Sequence, residues 1–228
     1  MFFSGLEKTS LVDFDGYLAC TVFTQGCNFK CPFCQNSDLV IGQPQQKISE
    51  EYVLSFLERR KGLLDAVCVT GGEPTLHKEI TAFIKKVKEF GYLVKLDTNG
   101  TNPDVVINLA QQGLIDYVAM DIKNSFDDYH AITGCNCDVE SVKGTAKFLL
   151  QNKIDYEFRT TLVKDFHTEK SIEKIANDIC GAEKYFLQKF EDKGGCIKDG
   201  LSAIDKETAE SFKIILQKNI KRVNLRGY

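Results

Sequence analysis

The sequence lacks several features that would assign it at once to a broad class of protein. No apolar run approaches the roughly 20 residues that a membrane helix needs. The opening residues, MFFSGLEKTS, place no basic segment before an apolar one, which excludes a secretory signal of the usual kind. Lysine and arginine total 29 against 32 acidic residues, so the net charge of −3 does not favour nucleic-acid binding. We therefore expect a cytoplasmic protein that binds neither membrane nor nucleic acid.

Internal repeats, low-complexity tracts and breaks in composition are also missing from the chain. Its 228 residues suffice for one sizeable core, and the 43% of hydrophobic residues is ordinary for a globular protein. We expect a single domain over residues 1–228. Its core would cover about residues 18–190, followed by a C-terminal helix and an edge strand within 203–228.

Cysteine, in contrast, is abundant, with nine residues. Nine thiols cannot all pair within one chain, and without a secretory signal a disulfide framework is not expected. Metal binding or catalysis is then the more natural use. Cys20 and Cys68 lie within apolar runs, which predicts that they are buried as small hydrophobic residues.

Strand and helix patterns alternate along the chain. Short apolar runs that end in glycine or polar residues predict strands, and amphipathic segments at helical spacing predict helices. The strands fall at 18–26, 64–72, 92–100, 115–123, 154–163 and 183–190, with an edge strand at 220–225. The helices fall at 49–62, 77–91, 103–113, 139–152, 168–181 and 205–218. Six βα units predict an α/β protein with a parallel sheet, either a partial barrel or an open doubly wound sheet.

Polar residues follow the carboxyl ends of five successive predicted strands. In parallel α/β proteins these ends share one edge of the sheet, where ligands bind. Each residue alone could simply belong to a turn, but five strands in a row favour a common site. In chain order the ends carry the cysteines after Gly26, then Gly71, Gly72 and Glu73, then Asp97 and Asn99, then Asp121 and Lys123, and finally Arg159.

Three cysteines, Cys27, Cys31 and Cys34, lie in the stretch QGCNFKCPFCQN. Thiolates bind zinc or iron–sulfur clusters, and three ligands on one loop leave one metal position open, as a reactive site requires. Two alternatives remain: a zinc site completed by His130 or His167, and a set of free thiols. Zinc ribbons usually supply two C-x-x-C pairs, and the sequence contains no second pair.

The pattern Cys27-x-x-x-Cys31-x-Phe33-Cys34 resembles the signature of the radical S-adenosylmethionine (SAM) enzymes. The stretches VTGGEPTL, KLDTNG, YVAMDIK and YEFRTTLV resemble, within that superfamily, the activating proteins of anaerobic ribonucleoside-triphosphate reductase. The resemblance covers most of the chain. It implies a partial (βα)6 TIM-like barrel of the radical SAM type.

The resemblance also implies an oxidoreductase activity. Cys27, Cys31 and Cys34 would hold a [4Fe–4S] cluster whose fourth iron binds SAM. Reductive cleavage of SAM would give a 5′-deoxyadenosyl radical that abstracts hydrogen from a glycine of a partner, the anaerobic reductase. Flavodoxin or ferredoxin would donate the electron. The rival hypotheses are another glycyl-radical enzyme, a peptide or a small molecule as substrate, and a metal-binding redox sensor without activity.

The same resemblance gives each polar residue of the sheet edge an expected contact with SAM. Phe33 would pack beside the adenine, Gly71 and Gly72 would let the backbone approach the methionine end, and Glu73 would accept from the ammonium group. Asp97 and Asp121 would face the ribose or a cation. Lys123 would meet the carboxylate, and Arg159 would either do the same or pair with an acid. The remaining predicted cofactor contacts are Asn99 and Asn124.

Two departures from the family pattern affect these expectations. Pyruvate formate-lyase activase carries a histidine on its sixth strand where this chain has Lys189 and Phe190, which leaves a ribose contact from that strand in doubt. Cys135, Cys137 and Cys196 have no expected counterpart in the family. They either hold a second cluster or bind no metal.

Overall fold

The computed structural model describes residues 1–42, 46–192 and 194–228. An eight-stranded sheet forms its centre, in the order β10-β9-β8-β7-β6-β5-β3-β2, and a separate two-stranded sheet pairs β1 with β4. The strands are β1 (Phe2–Phe3), β2 (Gly5–Ser10), β3 (Ala19–Thr24), β4 (Ile48–Ser49), β5 (Ala66–Gly71), β6 (Leu93–Thr98), β7 (Tyr117–Asp121), β8 (Asp155–Leu162), β9 (Lys184–Lys189) and β10 (Arg222–Arg226).

Helices fill most of the connections between these strands. They are α1 (Ser37–Val40), α2 (Glu50–Arg59), α3 (Ile80–Glu89), α4 (Pro103–Gln111), α5 (Tyr129–Thr133), α6 (Val139–Leu149), α7 (Glu169–Asp178) and α8 (Lys206–Leu216). The longer helices bury one apolar stripe each, as α3 does with Ile80, Phe83, Ile84 and Val87. Several begin at a side-chain cap, for example Ser49, whose hydroxyl accepts from the N–H of Tyr52.

The predicted alternation of strands and helices is confirmed. From β3 to β10 all neighbouring strands of the large sheet run parallel, and β10 is the edge strand expected near the C-terminus. The other edge, β2, runs antiparallel to β3. Because β2 and β10 lie at opposite ends of the strand order, the sheet is not a closed ring of strands, and the architecture is a partial barrel of the predicted kind.

The register of the parallel strands gathers polar side chains on one face of the sheet. Asp121 pairs with Arg159, and Arg159 pairs with Phe186, so these side chains lie side by side. Alternate residues such as Leu96, Met120 and Phe158 are fully buried in the apolar core. The polar face is therefore the concave one, and the apolar face packs against the helices.

The segment between β2 and β3 packs against the amino-terminal ends of the parallel strands. Phe14 is buried there beside Ala19 and Ala66, and its ring centroid lies 5.5 Å from that of Tyr117. Asp15 forms an ion pair of 3.2 Å with Arg226 on β10. This segment therefore contacts the sheet near both of its edges, at β3 and at β10.

The expected burial of Cys20 and Cys68 is confirmed, since both are at most 1% exposed. Among the residues that the structure describes, no helix combines the length and apolar character needed to cross a membrane.

Candidate active site

The three-cysteine loop follows β3 and lies over the carboxyl end of the sheet. Cys27, Cys31 and Cys34 all line one cavity of about 300 Å³. Cys31 is buried and the other two are partly exposed. Burial raises the pKa of Cys27 to about 11 and that of Cys31 to about 12, and it also raises the pKa of Cys34. The loop thus presents three thiols to one side of a cavity that is partly open to solvent.

Backbone and side-chain hydrogen bonds fix this loop from two directions. The N–H of Lys30 donates to the carbonyl of Thr133 at 2.8 Å, which ties the loop to the end of α5. The N–H of Lys198 donates to the carbonyl of Pro32 at 2.9 Å, from the segment that connects β9 to α8. Asn28 bonds with Asn99 at the end of β6, at 2.8 Å. The thiols are therefore positioned by three separate parts of the fold.

The glycine pair after β5 allows the ends of β3 and β5 to approach closely. Gly71 has a φ of +119°, and a Cβ there would lie 2.3 Å from the backbone nitrogen of Thr24. A Cβ on Gly72 would lie 1.9 Å from the carbonyl oxygen of Gly26. Both glycines also line the cavity. Their lack of side chains is required first of all by the packing of the cysteine loop on the end of β5.

Glu73 is fully buried and joins the ends of two strands. Its Oε1 accepts from the N–H and hydroxyl of Thr75 and, at 2.8 Å, from the hydroxyl of Thr98. Its Oε2 accepts from the N–H of Asn99 at 2.6 Å. Burial raises the pKa of Glu73, and the hydrogen bonds partly oppose that rise. Oε2 accepts this one bond, so a second lone pair of that oxygen can take a further donor.

Arg159 bridges the two aspartates at the ends of β6 and β7. Its Nη2 lies 3.1 Å from Oδ2 of Asp97, and its Nε lies 2.5 Å from Oδ1 of Asp121. Lys123 donates to the other oxygen of Asp121 at 2.8 Å, and Lys95 lies 3.4 Å from Oδ1 of Asp97. The floor of the cavity is thus a network of alternating charges.

These ion pairs control the protonation of the aspartates. Burial alone would raise the pKa of Asp97, but Arg159 and Lys95 outweigh it and hold that pKa below its usual value. For Asp121 the attraction of Arg159 and Lys123 likewise outweighs burial, and the pKa is lowered further. Both carboxylates are therefore ionised at neutral pH.

The structure brings nearly all of the predicted site residues to this one cavity. Its lining contains the three cysteines together with Phe33, Gly71, Gly72, Glu73, Asp97, Asn99, Asp121, Lys123 and Arg159. Asn124 differs. Its amide donates to the carbonyl of Phe166 at 3.3 Å, its oxygen accepts from the N–H of Ser125, and it lines another groove. The expected contact between Asn124 and a cofactor therefore gains no support from this geometry, since its amide groups are used to fasten a loop.

The lining also contains residues that were not among the predicted site residues, for example Gln188 on β9 and Asp13 before β3. Lys189 and Phe190, the residues considered on the sixth strand, do not line the cavity, and Phe190 is buried in the core. The alternation of side chains along β9 could have identified Gln188 as a lining residue, because Phe186 and Gln188 share the face of Arg159 and Thr161.

The two histidines considered as zinc ligands lie elsewhere. His167 is buried, and its ring bonds the N–H of Val163 at 3.0 Å and the carbonyl of Lys123 at 3.0 Å. His130 is exposed and lies 3.8 Å from the sulfur of Cys137. In residues 1–42, 46–192 and 194–228, no three His, Cys, Asp or Glu side chains converge closely enough to hold a single metal ion.

The remaining thiols flank the cysteine loop. The thiol of Cys135 donates to the carbonyl of Asn28 at 3.4 Å. Cys196 belongs to the segment whose Lys198 contacts Pro32, and it is partly exposed. Cys135 therefore contacts the loop at Asn28, whereas the segment that contains Cys196 contacts it at Pro32.

Comparison with known proteins gives the family of the chain. The model of the radical SAM superfamily matches residues 21–179. A relative in Methanocaldococcus jannaschii, named "Putative glycyl-radical enzyme activating enzyme MJ1227", is 36% identical over 197 residues, which cover 83% of this chain and 80% of that protein. The pyruvate formate-lyase-activating enzyme of Clostridium pasteurianum is 33% identical over 135 residues, covering 57% of this chain and 56% of that enzyme.

Solved structures agree on the fold. Streptococcus suis SuiB bound to S-adenosylmethionine matches with a TM-score of 0.71 at 16% identity, covering 90% of this chain and 49% of that one. The chain therefore spans about half the length of SuiB. A domain of the pyruvate-formate lyase-activating enzyme from Bacteroides vulgatus matches with a TM-score of 0.59 at 19% identity, covering 72% of this chain and 99% of the domain. Because the superfamily model matches residues 21–179, the chain belongs to the radical SAM superfamily, whose enzymes use a [4Fe–4S] cluster and S-adenosylmethionine.

Proposed function

We propose that this protein activates a glycyl-radical enzyme, and that its partner is an anaerobic ribonucleoside-triphosphate reductase. The observation that carries the proposal is the 36% identity to the Methanocaldococcus jannaschii protein over most of both chains. When bound, the cluster would supply the electron for cleavage of SAM to methionine and a 5′-deoxyadenosyl radical, and that radical would take a hydrogen atom from the α-carbon of the partner's glycine. The choice of the reductase as partner rests on the motif resemblance.

The thiol set fits the cluster. Cys27, Cys31 and Cys34 are soft ligands that line one cavity, whereas a cluster ligated only by protein needs four cysteines. Three protein ligands would leave one iron free to bind SAM. In this proposal the three cysteines bind the cluster, and the two flanking segments of the fold exclude water from it.

The charged floor fits the amino acid end of SAM. Lys123 uses one of its N–H donors on Asp121 and keeps others for a carboxylate. Oε2 of Glu73 has room for a donor from an ammonium group. The Phe33 ring lies 6.0 Å from Nζ of Lys123, so an apolar surface for the adenine borders the charged one. In the proposal Arg159 acts by holding both aspartates in place rather than by free contact with the carboxylate.

The proposal also includes the electron donor and the manner of partner binding. A flavodoxin or ferredoxin would supply the electron, as expected for this group of enzymes. The partner's glycine would reach the cavity through the open side of the partial barrel, between the edges β2 and β10. A protein segment suits such an opening better than a small molecule that must be enclosed.

Anaerobic reconstitution tests the proposal in two stages. The protein is refilled with iron and sulfide, reduced in the presence of SAM, and assayed for 5′-deoxyadenosine. The partner reductase is then added, and electron paramagnetic resonance is recorded to detect a glycine-centred doublet. Cleavage of SAM followed by the doublet supports the full proposal. Cleavage with no doublet from any glycyl-radical enzyme contradicts the activating role and favours a peptide or small-molecule substrate.

Matched cysteine variants provide the control. Cys31→Ala removes a thiol that lines the cavity and should abolish both signals. Cys135→Ala removes a thiol that bonds only the carbonyl of Asn28 and should leave both signals intact. Loss of SAM cleavage in Cys135→Ala would contradict the assignment of the cluster to Cys27, Cys31 and Cys34.

A further inference from the structure

A second cavity lies on the concave face of the sheet, at the opposite end from the thiols. Its volume is about 220 Å³, and it opens between the first residues of β9 and β10 and the segment before β3. Its cationic lining residues are Lys95, which pairs with Asp97, together with Lys184, Arg222 and Arg226. Phe14, Tyr117 and Phe186 contribute aromatic rings. The proposed SAM chemistry uses none of these residues.

Two of the cations face each other without a counterion. Lys184 on β9 and Arg222 on β10 are direct partners in the parallel register. Like charges in such positions repel each other and destabilise a sheet. In the part of the chain that the structure describes, neither side chain has a carboxylate within ion-pair distance. The fold therefore maintains an unfavourable charge pair at the wall of a cavity.

The two carboxylates that line this cavity are already used by other groups, and Asp155 and Glu183 line a separate groove beside Lys184 and Arg222. Glu157 accepts from the hydroxyl of Tyr117 at 3.1 Å and from Nη1 of Arg226 at 3.2 Å. Asp15 accepts from Nη2 of the same arginine at 3.2 Å. Arg226 thus takes up both carboxylates of the cavity, and Lys184 and Arg222 are left to attract an anion from solution.

Aromatic faces complete the lining. Nζ of Lys184 lies 5.1 Å from the ring centroid of Tyr117, and the guanidinium of Arg226 lies 3.9 Å from that of Phe186. The rings of Phe14 and Tyr117 are 5.5 Å apart. An anion placed between Lys184 and Arg222 would therefore have flat apolar surfaces beside it.

We propose that this cavity binds a small dianion of the phosphate type, held between Lys184 and Arg222, with any organic part of the ligand against the aromatic rings. Phosphate matches the site because it carries two charges and several acceptor oxygens, so it can bond an ammonium and a guanidinium at once. The cavity volume suits a phosphate with a small substituent. The site needs neither the cluster nor SAM, so it stands independently of the proposed function.

Calorimetric titration of the full-length protein tests the site directly. Inorganic phosphate, methyl phosphate and phenyl phosphate are titrated at constant ionic strength, and we expect saturable binding of one equivalent in each case. Tighter binding of phenyl phosphate than of methyl phosphate would support the contact with the rings. Equal affinities would overturn that contact, and absence of saturable binding for all three compounds would overturn the site.

Charge variants distinguish this site from general attraction of anions. The double variant Lys184→Gln/Arg222→Gln should weaken phosphate binding by about tenfold or more, because it removes both charge-assisted donors. Lys218→Gln removes one exposed positive charge after α8 and should bind like the unchanged protein. The two variants are compared at equal folded fraction, monitored by circular dichroism. Unchanged affinity in the folded double variant would overturn the proposal.

Discussion

Oε2 of Glu73 accepts a hydrogen bond from the backbone N–H of Asn99 at 2.6 Å, and this bond joins the end of β5 to the end of β6. The other oxygen binds the hydroxyl of Thr98 and both donors of Thr75. The residue thus has a structural part in the site before any ligand arrives, since one buried carboxylate satisfies four donors from two strand ends.

Replacement of Glu73 by glutamine should destabilise the protein in the absence of cofactors. The new amide would point N–H donors at groups that already donate, and the buried donors left without an acceptor cost about 1–3 kcal/mol. Urea unfolding monitored by circular dichroism measures the change. Glu79→Gln, at an exposed position before α3 whose side chain makes no cap bond, is the matched control and should alter stability little. Equal stability of the two variants would contradict this account of Glu73.

Because Arg159 bridges Asp97 and Asp121, we expect the effects of substituting Arg159 and these aspartates on the free energy of unfolding to be strongly coupled. Arg159→Met should cost about 3–5 kcal/mol, because it leaves two buried carboxylates with weaker compensation. Arg159→Met combined with Asp97→Asn should cost clearly less than the sum of the single variants. Unfolding free energies of the four proteins give the coupling. Arg59→Met, on the exposed end of α2, is the control for loss of a surface arginine. Strict additivity in the cycle would refute the bridge.

The buried ring of His167 should make the stability of the protein depend on pH. Burial lowers its pKa below the ordinary value of 6.5, since the neutral ring bonds Val163 and Lys123 inside the protein. Below pH 6.5 the unfolded chain therefore binds a proton that the folded protein resists, and stability falls as the pH decreases toward the lowered pKa. The slope contributed by this group is at most about 1.4 kcal/mol per pH unit.

The experiment compares unfolding free energies between neutral and mildly acidic pH. His167→Gln should be less stable at neutral pH and should lose part of the acid-dependent slope. His130→Gln replaces an exposed histidine and should keep the slope of the unchanged protein. A slope that persists in full in His167→Gln would show that other groups cause it.

Gln188 is expected to contribute to SAM binding from β9. Its side chain lines the cavity on the same face as Thr161, its partner in the register. Gln188→Ala should weaken SAM binding to the reconstituted protein by about tenfold, the effect of losing one hydrogen bond of roughly 1.4 kcal/mol. Equilibrium binding of SAM measures it. Gln217→Ala, at the exposed end of α8, should bind SAM normally, and an equal loss in both variants would argue against a contact by Gln188.

Sequence patterns predicted the parallel strands because all but β10 precede a helix and several, such as β3 and β5, are buried apolar runs. The antiparallel edge β2 escaped prediction, since its GLEKTS sequence exposes Glu7, Lys8 and Thr9 and lacks an apolar signal. The short helices α1 and α5 were missed for a related reason, because so few residues give no periodicity.

The site residues at strand ends were predictable because parallel strands deliver their ends to one edge. What the sequence could not supply was the direction of each side chain. Asn124 follows the same strand as Lys123, yet it turns into a loop that it fastens to Phe166. The position of Gln188 at the cavity follows only once the alternation of side chains along β9 is known. The structural role of Glu73 follows only from its four hydrogen bonds.

The cysteine loop is held under two separate pieces of chain, with Thr133 bonded to Lys30 on one side and Lys198 bonded to Pro32 on the other. Cys31 is the buried member of the three thiols, so local opening of one of these pieces should ease its access to iron and sulfide. The rate at which the site fills should then rise with the frequency of that local opening. Conditions that loosen the segment around Lys198 should speed the filling of the site and, equally, its loss to oxygen.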